Sequence, residues 1–263
     1  MSTSTLPNDV SVTPIPAFTD NYIWCLHNSN DAVVVDPGDA EPVLAFLKQN
    51  NLKLAAILIT HHHHDHTGGI TRLTSTRPAI PVIGPRGSHI RGITKSVTQG
   101  DVVRLPIIKC DFTVMEIPGH TLDHIAFYGH GAIFCGDTLF AAGCGRLFEG
   151  SPEQMAHSLS KLKRLPGHTK VYCAHEYTVA NIQFAKKVEP NNQALHDYEM
   201  WANQQREQNK ATLPSDIATQ KAVNPFLRCE QEEVRSSAQA KSEHTLHDEV
   251  AVFATLRTWK DKF

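Results

Sequence analysis

Residues 57–69 read ILITHHHHDHTGG, five histidines and one aspartate in six consecutive positions directly after an aliphatic run. The cluster lies inside the chain and Asp65 interrupts it, which sets aside an affinity tag. LAAILIT, residues 54–60, is short, apolar and bounded by polar residues, so it reads as a buried strand whose end delivers the cluster. In an extended segment alternate side chains share a face. His61, His63 and Asp65 are therefore expected on one side and His62 and His64 on the other, as ordinary solvated side chains. His66 follows where Gly68 and Gly69 loosen the backbone. Imidazoles and a carboxylate at a strand end form a nitrogen and oxygen donor set that suits zinc, iron or manganese.

A metal site needs ligands from elsewhere in the chain, and three segments offer them: EIPGHTLDH around His120, IFCGDTLF around Asp137 and VYCAHEYT around His175. Each places one donor just past an apolar, strand-like run, and Gly119 and Gly136 permit tight turns before two of them. With His61, His63, Asp65 and His66 the set reaches seven donors. That is too many for one tetrahedral ion and suits two ions sharing a bridging carboxylate.

The rest of the chain sets the context. Acidic and basic residues are interspersed over 263 residues with a formal charge of -2, so no basic field points to nucleic acid or a membrane surface. The six cysteines are scattered without a CxxC pair, a usage that suits a reducing compartment. The N-terminal stretch lacks a signal-peptide pattern and no apolar run approaches the ~20 residues of a membrane span, so a cytoplasmic protein is expected. Strand-like runs at 22–26, 32–36, 54–60, 81–84, 112–117, 132–135 and 170–174 dominate the first two-thirds. Helices are expected at Glu41–Gln49, after Thr67, and at Pro152–Arg164, where Ser151, Pro152 and Gln154 spell an N-terminal cap. After about residue 176 the texture becomes helical. The expected class is α+β, a strand-rich domain over 1–175 and an all-helical one over 176–263.

THHHHDH, PGHT, CGDT and AHEYT, in that order, resemble the signature of the metallo-β-lactamase superfamily. More closely, TDNYIW (19–24), GDTLFAAGCGRLFEG (136–150), HEYTVANIQFA (175–185), NPFLR (224–228) and RTWKDKF (257–263) resemble the hydroxyacylglutathione hydrolase, or glyoxalase II, family over nearly the whole chain. The resemblance implies an αββα sandwich with a C-terminal all-helical domain. It implies one ion on His61, His63 and His120, a second on Asp65, His66 and His175, and Asp137 between them, the two ions being divalent and zinc in the first place, with iron or manganese as alternatives. Asp65 and Asp137 then serve catalysis with a hydroxide shared by the ions. The implied reaction cleaves S-D-lactoylglutathione to glutathione and D-lactate, the second step of methylglyoxal degradation. Asp36, in VVVDPG, either orients a ligand imidazole or the bound water, or caps a turn. His124 either supports the site or is structural.

For the glutathione half of the substrate the resemblance implies Arg146, Phe148, Tyr177, Arg257 and Lys260. Arg146 stands where many relatives carry lysine, and Phe148 where some carry tyrosine, so a hydroxyl contact is lost there. The partner is a small glutathione thioester, with neither nucleic acid nor membrane, and a monomer is expected. A superfamily hydrolase of lactams, lactones or nucleic acid would share the seven donors; a redox di-iron member would carry glutamate at position 63. A metal-binding protein without catalysis has little reason to keep every donor.

Overall fold

The structure, a computed structural model, describes residues 5–263. It contains two compact units, one formed by the chain up to Glu116 with Asp123–Gly136, the other by Ile117–Leu122 with Asp137–Phe263.

The first unit opens with an antiparallel hairpin, β1 (Ser11–Ala17) and β2 (Asn21–His27), and β2 pairs antiparallel with β3 (Asp31–Val35). Helix α1 (Ala40–Gln49) then carries the chain across to β4 (Lys53–Leu58), which lies parallel to β3. Asp39 caps α1 by accepting from the Glu41 amide. After α2 (His64–Thr67) and α3 (Ile70–Thr76) come β5 (Val82–Pro85) and β6 (Lys95–Val97), both added in parallel. Ala32, Val33, Val34 and Val35 are all buried, the unbroken apolar run expected of a strand covered on both faces. Val34 and Ile57 share a core with Val43 and Leu47 of α1 and Ile70 and Leu73 of α3.

A second antiparallel set follows: β7 (Val102–Leu105), β8 (Cys110–Glu116), β9 (Ile125–Gly129) and β10 (Ala132–Gly136). The β9–β10 turn uses His130 and Gly131, both at positive φ (53° and 69°), the twist a two-residue hairpin needs.

In the second unit, short strands β11 (Leu139–Phe140) and β12 (Gly143–Cys144) form a small hairpin. Helix α4 (Pro152–Lys163) starts at the capping box read from the sequence, Ser151 and Gln154 each bonding the other's backbone amide. Strand β13 (Lys170–Cys173) leads to α5 (Thr178–Val188) and α6 (Gln193–Glu207); β14 (Ser215–Asp216) pairs with β13, and α7 (Ile217–Val223), α8 (Glu232–Gln239) and α9 (Glu249–Asp261) complete the unit. The sequence motifs explain the β11–β12 hairpin. Asn224 of NPFLR donates to Phe140 O (3.1 Å) and Gly143 O (2.9 Å), Asn181 donates to Ala141 O (3.1 Å), and Gln220 Oε1 accepts from the Ala142 amide (2.8 Å). All three side chains are buried, so each lost bond would strand a polar group.

The units divide the chain differently from the expected boundary at 175/176. Residues 137–175 pack with the C-terminal helices, α4 lying against α9. A second difference concerns the histidine cluster. It is not extended throughout: residues 64–67 turn into α2, where Thr67 Oγ1 donates to His63 O at 3.0 Å. The turn lies against a close passage that only glycine permits, because a Cβ on Gly38 would collide with the Asp65 carbonyl. β4 itself ends at Leu58, so His61, His62 and His63 follow in irregular backbone, and Asp65 and His66 are placed by a helical turn.

Candidate functional site

In the first unit the parallel register Val35↔Leu58 sets the ends of β3 and β4 side by side, so Asp36 and Thr60 meet just beyond them. Asp36 has φ +54°, an uncommon backbone state for a residue with a Cβ, and its amide donates to Leu58 O at 2.9 Å. Its carboxylate accepts from the Thr60 amide (2.7 Å) and the Thr60 hydroxyl (2.8 Å) and lies 3.2 Å from His66 Nδ1. Asp36 thus faces an imidazole with its carboxylate and also closes a turn, its carbonyl accepting from the Gly38 amide at 2.9 Å.

Around this anchor the donors form two pairs. His61 Nε2 and His63 Nδ1 are 3.2 Å apart, and His66 Nε2 is 3.4 Å from Asp65 Oδ2. Asn21, from TDNYIW, donates to the same Asp65 oxygen at 3.0 Å. His124 stacks on His61, centroids 4.5 Å apart and planes at 15°, so it buttresses the His61 ring. His62 turns away to Asp123, 3.0 Å from its Oδ1. That partner was not anticipated. Its only signal is the sequence spacing that puts Asp123 beside His124.

In the second unit Asp137 Oδ2 lies 3.4 Å from His120 Nε2 and 3.3 Å from His175 Nε2, one carboxylate oxygen facing two imidazoles. His120 Nδ1 donates to Arg146 O (2.8 Å), which leaves its other nitrogen as the donor atom. Two exposed rings flank these histidines. Tyr177 stacks on His175 at 4.7 Å with planes 7° apart, and Phe148 meets His120 edge-on at 5.2 Å. Glu176, between them in sequence, accepts from the Thr212 amide at 2.8 Å and from its hydroxyl, pinning the segment that carries His175 and Tyr177.

The cations read for glutathione differ in exposure. Arg146 is solvent-exposed, with Nε 3.3 Å from Asp261 Oδ1. Arg257 is buried, donating to Cys144 O (2.9 Å) and to Asp261 Oδ1 (2.9 Å). Its guanidinium therefore braces the turn that leads into Arg146, and Asp261, which no sequence reading singled out, joins the two arginines. Lys260 is half-buried with Nζ over the Phe184 and Phe263 rings at 5.2 and 5.7 Å; desolvation first, then the neighbouring Arg257 charge, push its pKa down.

The donors fit hard-to-borderline divalent ions: imidazole nitrogens and carboxylate oxygens, with the candidate ligand atoms of His61 and His63, and of Asp65 and His66, within 4.8 Å of each other. All six thiols are buried. Burial pushes the Cys25 thiol up to about 12 and, with help from Asp111 and Asp9, Cys110 to about 11. Thiolate is the reactive form, so iodoacetamide at pH 7.5 is expected to leave the native protein unalkylated and fully active over an hour. Intact-mass measurement beside an activity assay checks it; rapid single-site alkylation with loss of activity contradicts it.

The family model for the hydroxyacylglutathione hydrolase C-terminus matches residues 176–263, and that of the metallo-beta-lactamase superfamily residues 18–92. A hydroxyacylglutathione hydrolase of Nitrosomonas eutropha is 52% identical over 97% of this chain and 99% of its own. The chain belongs to the hydroxyacylglutathione hydrolase family. A relative of the same name from Photobacterium profundum is 51% identical over 97% of this chain and its whole length. The solved BLEG-1 B3 metallo-beta-lactamase, 24% identical, superposes with a TM-score of 0.62 over 82% of this chain and 99% of its own, which establishes the fold. Membership makes the chain a metallo-hydrolase, with the metallo-β-lactamase fold and C-terminal helices anticipated from its motifs.

Proposed function

We propose that this member of the hydroxyacylglutathione hydrolase family hydrolyses S-(2-hydroxyacyl)glutathione, S-D-lactoylglutathione among them, to glutathione and the free 2-hydroxy acid, the second step of methylglyoxal removal. The observation that carries the reading is Asp137 Oδ2 facing both His120 and His175, in a chain 52% identical end to end to a relative of that name. His61, His63 and His120 would hold one divalent ion and Asp65, His66 and His175 the other, with Asp137 common to both. Bound divalent ions lower the pKa of water from 15.7 toward about 7 and polarise a carbonyl oxygen. Zinc is the proposed metal, and this donor set also accepts iron and manganese.

The chain's own groups orient and hold. Asp36 fixes His66, Asn21 steadies Asp65, and the Arg146 carbonyl fixes His120. Tyr177 and Phe148 offer ring faces beside the histidines, while Arg146 and Lys260 offer charge to the glutathione carboxylates. Arg257 acts by holding the 144–145 turn behind Arg146. A cysteine-type thiolate has a pKa of about 8.5, so glutathione can depart without a general acid. Residues 1–175 would carry all seven metal donors, and glutathione recognition would draw on Arg146 and Phe148 of that stretch as well as on Tyr177 and Lys260 of 176–263, in a cytoplasmic monomer; among the described residues no helix is long and apolar enough to cross a membrane. The test is a substrate panel. S-D-lactoylglutathione should exceed a β-lactam, a lactone and a phosphodiester in kcat/KM by orders of magnitude, and preference for any of these three would refute the assignment.

A further inference from the structure

We propose that Thr60 is a positioning residue: it relays the Asp36 carboxylate to His61 and fixes that imidazole with its proton on Nδ1 and its lone pair on Nε2. The inference rests on the metal reading above and adds a residue to it.

The hydroxyl of Thr60 makes two contacts, 2.8 Å to Asp36 Oδ2 and 3.0 Å to His61 Nδ1. A hydroxyl has one proton to give, and a carboxylate can only accept. The Thr60 proton therefore goes to Asp36, and the Thr60 oxygen is left to accept from His61. Only the Nδ1–H form of His61 can supply that bond. The lone pair then sits on Nε2, the nitrogen that lies 3.2 Å from His63 Nδ1. Asp36 thus governs two donors at once, His66 by direct contact at 3.2 Å and His61 through Thr60.

The surroundings leave Thr60 little freedom to do anything else. It is fully buried, as is His61, and its amide is also held by Asp36 at 2.7 Å. The Thr60 carbonyl accepts from the Ile125 amide at 2.9 Å, which brings His124 onto the His61 ring. Gly136, at φ +47°, completes the arrangement: a Cβ there would collide with the Thr60 hydroxyl and come within 2.9 Å of the His124 ring. The glycine of CGDT is thereby explained by what lies behind it as well as by the aspartate after it.

The experiment uses zinc-loaded protein with 15N-labelled histidine. The unaltered protein should show a slowly exchanging Nδ1–H signal for His61. Thr60→Val keeps the side-chain shape without the hydroxyl; it should lose or broaden that signal and bind zinc about tenfold to a hundredfold more weakly in a chelator competition, the range for outer hydrogen-bond partners of ligand histidines. Thr60→Ser restores the hydroxyl and should restore both readouts. Zinc affinity unchanged in Thr60→Val, or an unchanged His61 signal, would overturn the inference. Should Thr60→Val not fold, the unaltered spectrum decides alone: a His61 ring protonated on Nε2 overturns it. Absence of any zinc binding by the unaltered protein would instead bring down the metal reading itself.

Discussion

Asp137→Ala is expected to cost at least about a thousandfold in kcat/KM, several kcal/mol of transition-state stabilisation, and to lower the bound metal from two ions toward one or none. The expectation follows from one oxygen facing both His120 Nε2 and His175 Nε2 at 3.4 and 3.3 Å. A ligand serving a single ion would leave the other in place. Asp137→Asn, which keeps the shape, should show the same loss of metal and so separates ligation from packing. The contrast is His62→Ala. That ring is about one-third exposed and pairs with Asp123, so the change removes a surface-type pair worth at most about 1 kcal/mol and should leave metal content at two. Metal analysis of the purified variants beside their kinetics reads both outcomes.

The second large effect concerns the arginines, which should separate cleanly. Arg146 is exposed and free to reach a substrate carboxylate on its solvent side, so Arg146→Ala should raise KM for S-D-lactoylglutathione about tenfold to a hundredfold with kcat largely kept, the value of one charge-assisted hydrogen bond. A small thioester without glutathione carboxylates should not notice the change. Arg257→Ala removes a buried guanidinium from Cys144 O and Asp261, so it should lower thermal stability and harm both thioesters alike. Equal effects of Arg146→Ala on the two substrates would remove Arg146 from glutathione recognition.

The strands that carry the donors were legible because their signals are local. AVVV (32–35) and LAAILI (54–59) are unbroken apolar runs that supply most of β3 and β4, whose ends set Asp36 beside Thr60. The Ser151 capping box is equally local and formed as read. What escaped the sequence depends on contacts between distant segments. The turn of residues 64–67 into α2 has room only because Gly38 passes against Asp65, 27 positions on in the chain, which no local window of the sequence contains. The resemblance implies Arg257 only as a glutathione contact, and the bond that holds its guanidinium, to the Cys144 carbonyl 113 residues away, lies outside any local window. Thr60 looked like the polar end of a strand, and only the fold of Asp36 back onto it gives its hydroxyl a direction.

Hydrolysis of a glutathione thioester should depend on divalent ions held by this chain. Stripping the protein with a chelator and then titrating zinc while following S-D-lactoylglutathione turnover tests it most directly. The metal-free protein should be inactive, activity should rise with added zinc, and bound metal should saturate near two ions per chain. Full activity in protein shown to hold no metal, or saturation with both ions bound and no turnover of the thioester, would refute that dependence.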